Sequence, residues 1–239
     1  MQSNQRVAFQ GVEGAYSHLA CSKVFKNAHD IACENFQQAI KLVEDDQADC
    51  AMIPLENSTA GRVEEIYRLL PNTHLNIIGE HFEPVRHCLL ARKGVDIDSI
   101  QVALSHPQAL AQCFHNLQSR NITPTVTSDT ALSAKQLALM DESDPRVKTH
   151  AAIASPLAAQ LYDLQILIEN FQDQVGNTTR FIILSKQARS ADYISTQRYL
   201  TSILFSVRNI PAALYKALGG FATNGVNLIK LESYMDGGT

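Results

Sequence analysis

From residue 6 to residue 185, short apolar runs alternate with segments whose apolar positions recur at helical spacing. The run "RVAFQG" (6–11) predicts a strand, followed by a helix over 15–25. "FQQAIKLVEDD" puts Phe36, Ile40 and Val43 on one helical face. "ADCAMIPL" reads as a strand and 63–70 as a helix. "IQVALSH", "TPTVTS" and "HAAIAS" read as strands, each followed by a helix, at 107–118, at 130–139 and in "PLAAQLYDL". Strand–helix alternation of this kind predicts parallel sheets covered by helices. Two longer β-like stretches, "LNIIGEHFEPVRHCLLAR" near 75–92 and "QILIEN" to "RFIILS" near 165–184, read as crossings between two α/β lobes. The expected boundaries are 1–80 with 167–186 for the first lobe and 81–166 for the second.

After Ser185 the pattern changes. "KQARSADYISTQR" is a polar linker, "YLTSILFSV" predicts a strand, "PAALYKALGGFATNG" a helix and "VNLIKLESYM" a further strand. A lone βαβ unit has too little sheet to stand by itself, so residues 199–239 read as a partial second domain.

Composition narrows the function classes. The 239 residues are 45% hydrophobic and 18% charged, enough for a large core in more than one unit. The formal net charge of −4, without basic runs, argues against a nucleic-acid partner. No apolar stretch reaches the roughly 20 residues of a membrane span, and the amino terminus passes almost directly into a strand pattern without a signal peptide. The five cysteines, Cys21, Cys33, Cys50, Cys88 and Cys113, are odd in number and widely spaced, as expected of reduced thiols in a cytoplasmic protein. The histidines show no metal-binding spacing, and no glycine-rich phosphate loop is present, so neither metal nor nucleotide cofactor is expected.

The polar residues cluster at one kind of position. "GVEGAYSH", "PLENSTAG", "SHPQA", "TSDTA", "ASPLA" and "NTTR" each follow or open a predicted strand next to a helix or turn. In a parallel sheet the carboxyl ends of strands form one rim, where ligands bind beside helix N-termini. Arg180, set against the buried strand "FIIL", needs an anionic partner. Taken together the rim suits a small carboxylate compound. Each member has a plainer alternative: Ser, Thr and Asp as helix caps, His18 and His106 as packed or capping residues, Glu56 as a solvated charge, Arg180 as half of a structural ion pair.

In their order, "FQGVEGAYSH", "AMIPLENSTAGRV", "ALSHPQALAQC", "SDTALSAK", "AAIAS" and "NTTRF" resemble prephenate dehydratase over residues 6–185. The last holds the family's Thr-Arg-Phe signature at Thr179, Arg180 and Phe181. The tail is similar to the start of an ACT regulatory domain, with the phenylalanine-binding motifs near "PAAL" and "ESYM".

The resemblance implies a two-lobed, periplasmic-binding-protein-like α/β catalytic domain over 1–186 with a cleft, followed by a partial ferredoxin-like βαβ ACT domain. It implies conversion of prephenate to phenylpyruvate, water and CO₂ on the route to phenylalanine, without a cofactor. Thr179 would be catalytic; Arg180, Phe181, Asn177, Glu56, Asn57, Ser58, Thr59, Ser105, His106, Gln108, Thr130 and Ser155 would bind substrate. Ala213, Leu214, Asn227, Glu232 and Ser233 would bind phenylalanine as effector. "ESYM" departs from the commoner Glu-Ser-Arg-Pro, and the domain's later elements are missing, which implies weak inhibition or none. No chorismate mutase segment precedes Arg6, which implies a monofunctional enzyme, expected as a homodimer or homotetramer. The rival readings are a non-catalytic cytosolic binding or sensor module for a small carboxylate and a regulatory subunit acting through its tail.

Overall fold

The computed structural model describes residues 5–189, 194–196, 201, 203 and 205–233. In the first lobe the chain forms β1 (Arg6–Gln10), α1 (Tyr16–Val24), β2 (His29–Cys33), α2 (Phe36–Glu44), β3 (Cys50–Asn57), β4 (Gly61–Arg62), α3 (Glu64–Leu69) and β5 (Asn76–Pro84). It crosses to the second lobe for β6 (Cys88–Ala91), β7 (Val102–Ser105), α4 (Pro107–Gln112), α5 (Phe114–Ser119), β8 (Thr123–Val126), α6 (Thr130–Ala138), β9 (His150–Ala154), α7 (Pro156–Leu161) and β10 (Gln165–Ile168). It then returns as β11 (Thr178–Ser185).

The first sheet has the order β2-β1-β3-β11-β5, with β4 on β3; the second has the order β10-β6-β9-β7-β8. β1, β2 and β3 are mutually parallel, whereas β11 lies antiparallel between β3 and β5. The returning strand thus completes the core of the first lobe. Its even-numbered Ile182 and Leu184 pack with Ala51, Ile53 and the α2 residues Ile40 and Val43. Its odd-numbered Phe181 and Ile183 pack with Val7, Phe9 and the α1 residues Ala20 and Cys21 on the other face.

The lobe boundaries fall a few residues from those expected. β5 stays in the first sheet to Pro84 and β10 belongs to the second, so the crossings lie at 85–87 and 169–177. The run "EPVRHCLL" breaks here because residues 85–87 bond to the other crossing instead of to a sheet: Val85 N donates to Asn177 O, and His87 N to Gln172 Oε1. β2 carries no apolar run, since only Cys33 among its five residues is buried, and periodicity does not mark it. The helix expected over 107–118 turns at Cys113 into α4 and α5.

In the tail the expected helix is present as α8 (Ala213–Thr223). The described residues of the two expected strands, 201, 203, 205–207 and 226–233, carry no strand, while Leu204, Tyr234 and Met235 lie outside the described residues. A strand is stable only when a neighbour takes up its backbone N–H and C=O groups. Leu214, Leu228 and Leu231 are accordingly about half exposed. Among the described residues no helix is long and apolar enough to cross a membrane.

Candidate active site

β3 and β11 bring two polar ends together at the edge of the first lobe. Thr179 pairs with Asn57 across the ladder, and the Asn57 Nδ2 amide donates to Thr179 Oγ1 at 2.9 Å. Asn57 Oδ1 accepts from the backbone N–H groups of Thr59 and Ala60, which turns the chain sharply after β3 and fixes the amide. Ser58 Oγ accepts from Thr178 N and donates to Gly176 O, tying that turn to the start of β11. Thr59 and Ser58 remain exposed on the loop.

Next to this pair a polar network crosses the hinge. Asn177 Nδ2 donates to Gln112 Oε1 at 3.0 Å, and the same oxygen lies 2.9 Å from His87 Nε2. His87 Nδ1 lies 2.9 Å from the Tyr16 hydroxyl, which donates to Arg86 O. Burial pushes the His87 imidazole below its ordinary value, despite the Gln112 bond; in the neutral ring Nε2 donates to the Gln112 oxygen, and Nδ1 accepts from the Tyr16 hydroxyl, which it shares with Arg86 O. Burial also pushes the Tyr16 phenol well above its usual range. Asn177 Oδ1 is buried and has no hydrogen-bond partner among the described residues. On the same face as Thr179, its β5 neighbour Glu83 is buried, held by Lys23 and His81. Tyr16, His87, Gln112, Lys23 and Glu83 were not singled out from the sequence. Only "RHC", which puts polar residues just before the apolar "LLA", carried a signal.

Several expected substrate ligands have other work. Arg180 is directed away from Thr179: its guanidinium pairs with Glu56 Oε1 at 3.1 Å and Glu80 Oε2 at 2.8 Å, and stands over the Phe82 ring. Burial opposes the Arg180 charge, but the two carboxylates outweigh it and raise its pKa. Glu56 also pairs with Lys230; burial would raise its carboxyl, yet these cations hold it below the ordinary range. Phe181 is a core residue, 1% exposed. Ser105 and Ser155 are fully buried: Ser105 Oγ donates to Ile153 O, while Ser155 Oγ caps α7 through Ala158 N and donates to Gly14 O. Ser105 ends β7 on its inward side, Ser155 is spent on capping α7, and Phe181 lies inside β11 on the face that packs against α1.

On the second lobe's rim, His106 caps α4 by accepting from Gln108 N, and Gln108 is exposed. Thr130 opens α6, whose cap is Asp129. In the tail, Ala213 and Leu214 form the first turn of α8 and Asn227 is exposed. Glu232 pairs with Lys230, and Ser233 O accepts from Arg62 Nη1. Among the described residues no group of three or more His, Cys, Asp or Glu is placed to hold a metal ion.

Comparisons with known proteins place the chain in a family. The family model for prephenate dehydratase matches residues 7–189. The chain belongs to the prephenate dehydratase family. It is 42% identical over 235 residues to the bifunctional N-acyl-homoserine lactone acylase/prephenate dehydratase of Komagataeibacter europaeus, covering 98% of this chain and 82% of that one. It is 43% identical over 232 residues to the chloroplastic arogenate dehydratase/prephenate dehydratase 2 of Arabidopsis thaliana, spanning 97% of this chain but 59% of the plant protein. The solved prephenate dehydratase of Arthrobacter aurescens in complex with L-Phe superimposes with a TM-score of 0.80 at 29% identity, over 96% of this chain and 76% of that chain. The two-lobed α/β architecture is therefore that of the prephenate dehydratases.

Proposed function

We propose that this chain is a prephenate dehydratase, converting prephenate to phenylpyruvate, water and CO₂. The observation that carries the reading is the Asn57–Thr179 pair. Because Thr179 Oγ1 accepts a hydrogen bond from the Asn57 amide, its own hydrogen is left to point at a ligand.

Prephenate carries a ring carboxylate, a pyruvyl carboxylate and a ring hydroxyl. In the reaction the ring C–O bond breaks and hydroxide leaves. The C–C bond to the ring carboxylate breaks in the same process; its electron pair enters the ring and completes the aromatic system. The hydroxide must gain a proton to leave as water. A hydrogen bond from Thr179 lowers the cost of that departure, and such assistance is typically worth about 10²–10⁴ in rate. Aromatisation drives the rest, so the residues need only hold the anion and exclude water. Exposed Ser58, Thr59 and Gln108, together with Thr130, offer donors for the carboxylates on the two rims. Arg180, on the other face, supports β11 from behind.

The plant relative's name pairs prephenate with arogenate, which bears an amine in place of the keto group, so both substrates are to be tested. We also propose L-phenylalanine as a weak effector, a homo-oligomeric state and a cytoplasmic setting; the last is supported by five free, buried thiols. Steady-state turnover of prephenate, followed as phenylpyruvate absorbance in alkali, tests the assignment. Tight binding without turnover would show a sensor module instead.

A further inference from the structure

We infer that residues 12–16 act as a strut that sets the angle between the two lobes, and that His18 is the positioning residue that holds the strut.

This segment belongs by sequence to the first lobe, yet it is built into the second. Ala15 is buried in the second lobe's core with Cys88, Leu90, Ala131 and Ala152, and Val12 packs against the same cluster. Gly14 O accepts from Ser155 Oγ at 2.6 Å and Glu13 O from the Tyr162 hydroxyl at 2.7 Å, the two residues that cap α7. Tyr16, the next residue, bonds to the hinge at Arg86 O. Two hydrogen bonds and one buried methyl thus reach across to the second lobe, and a third bond ties the segment to the hinge.

The segment is anchored from below by His18. The N-cap of α1 is Ala15, which has no side chain to accept a helix N–H. His18, three residues on, reaches back instead: its Nδ1 accepts from Gly14 N at 3.0 Å, in the manner of the third helical residue of a capping box. That bond places the ring proton on Nε2, which lies 3.2 Å from Asp30 Oδ2 on β2. The ring stacks on Phe9 of β1, with centroids 5.0 Å apart and planes within 4°. Gly14 is therefore held through its N–H by the first lobe and through its C=O by the second.

The kinetic half of this inference rests on the dehydratase reading, whereas the conformational half does not. The test uses the full chain with His18→Leu, His18→Asn and Tyr162→Phe. His18→Leu should speed exchange of the Gly14 amide at least about fivefold, the factor that matches one hydrogen bond of about 1 kcal/mol. It should lower kcat/KM by up to about 10²-fold, since small misplacement of reacting groups is costly. His18→Asn can present an oxygen near the Nδ1 position and should recover most of both losses. Tyr162→Phe keeps its ring in the core and removes only the bond to Glu13; it should speed exchange at residues 13–16 even if His18→Leu fails to fold. Wild-type exchange in both His18→Leu and Tyr162→Phe, or an Asn variant no better than Leu, would overturn the strut. Altered exchange in a protein whose wild type turns over no prephenate would instead leave the strut standing and sink the dehydratase reading.

Discussion

Thr179 and Arg180 are neighbours in β11, yet their side chains serve opposite faces of the first sheet. Thr179 Oγ1 meets the Asn57 amide on the side covered by α1, whereas the Arg180 guanidinium joins Glu56 and Glu80 on the side of α2 and α3. Successive strand residues alternate in this way, so one signature supplies two different functions: a hydroxyl for a ligand and a clamp across three strands.

Replacing Thr179 by Ala should lower kcat by at least about 10²-fold with little change in stability, the effect of losing a proton-donating group. Thr178→Ala, on the Arg180 face, should change kcat by only a few fold. The comparison is a steady-state assay of both variants with prephenate, beside a thermal melt. A larger defect at Thr178 would mean that the wrong hydroxyl has been assigned.

Arg180→Ala should destabilise the protein by about 2–3 kcal/mol, because it leaves Glu80 without its guanidinium and Glu56 with Lys230 alone, in a partly buried site. Arg180→Lys should recover only part of this, since an ammonium cannot bond both carboxylates with the geometry of a guanidinium fork. Urea unfolding measures the loss. An Arg180→Ala variant of unchanged stability but poor kcat/KM would place the guanidinium on the substrate instead.

Gly14→Ala should cost about 1–3 kcal/mol, the usual strain for a side chain held at positive φ. Gly14 sits at φ +86°, and an added Cβ would stand 3.1 Å from Ala158 across the lobe boundary. Gly61→Ala, also at positive φ but with open space around it, should be milder. Melting temperatures of the two variants decide between backbone strain alone and strain combined with an inter-lobe clash.

His87 gives stability a definite pH dependence. Burial lowers its folded pKa below the ordinary 6.5. Above that value the ring is neutral in both states. As the pH falls below it, the unfolded chain takes up a proton that the folded ring resists, so stability declines until the folded pKa is reached. Unfolding free energies measured between pH 7.5 and pH 5 should show this decline (roughly one proton's slope, about 1.4 kcal/mol per unit), flattened in His87→Gln. An unchanged slope in the variant would show that other groups carry it.

Much of the architecture was legible in the sequence, for a local reason. Periodicity reports which residues of a segment face apolar surroundings, and capping residues report where helices begin; both act within a few residues. The alternating elements from Arg6 to Leu161, the caps at Asp129 and Ser155 and the polar end "NTTR" are of this kind. The edge strand β2 escaped because it buries one residue, and the strands expected in the tail overreached because apolar alternation supplies no ladder partner. Tertiary structure alone decided which face of a rim residue meets a ligand. Ser105, Ser155 and Phe181 carry side chains that would suit a cleft, but the packing above them turns them inward. Glu56 and Glu80, distant in sequence from Arg180, are brought to it by strand register, and Asn57 is brought to Thr179 in the same way. Such pairings depend on how strands 100 residues or more apart align, a long-range choice that no local pattern encodes.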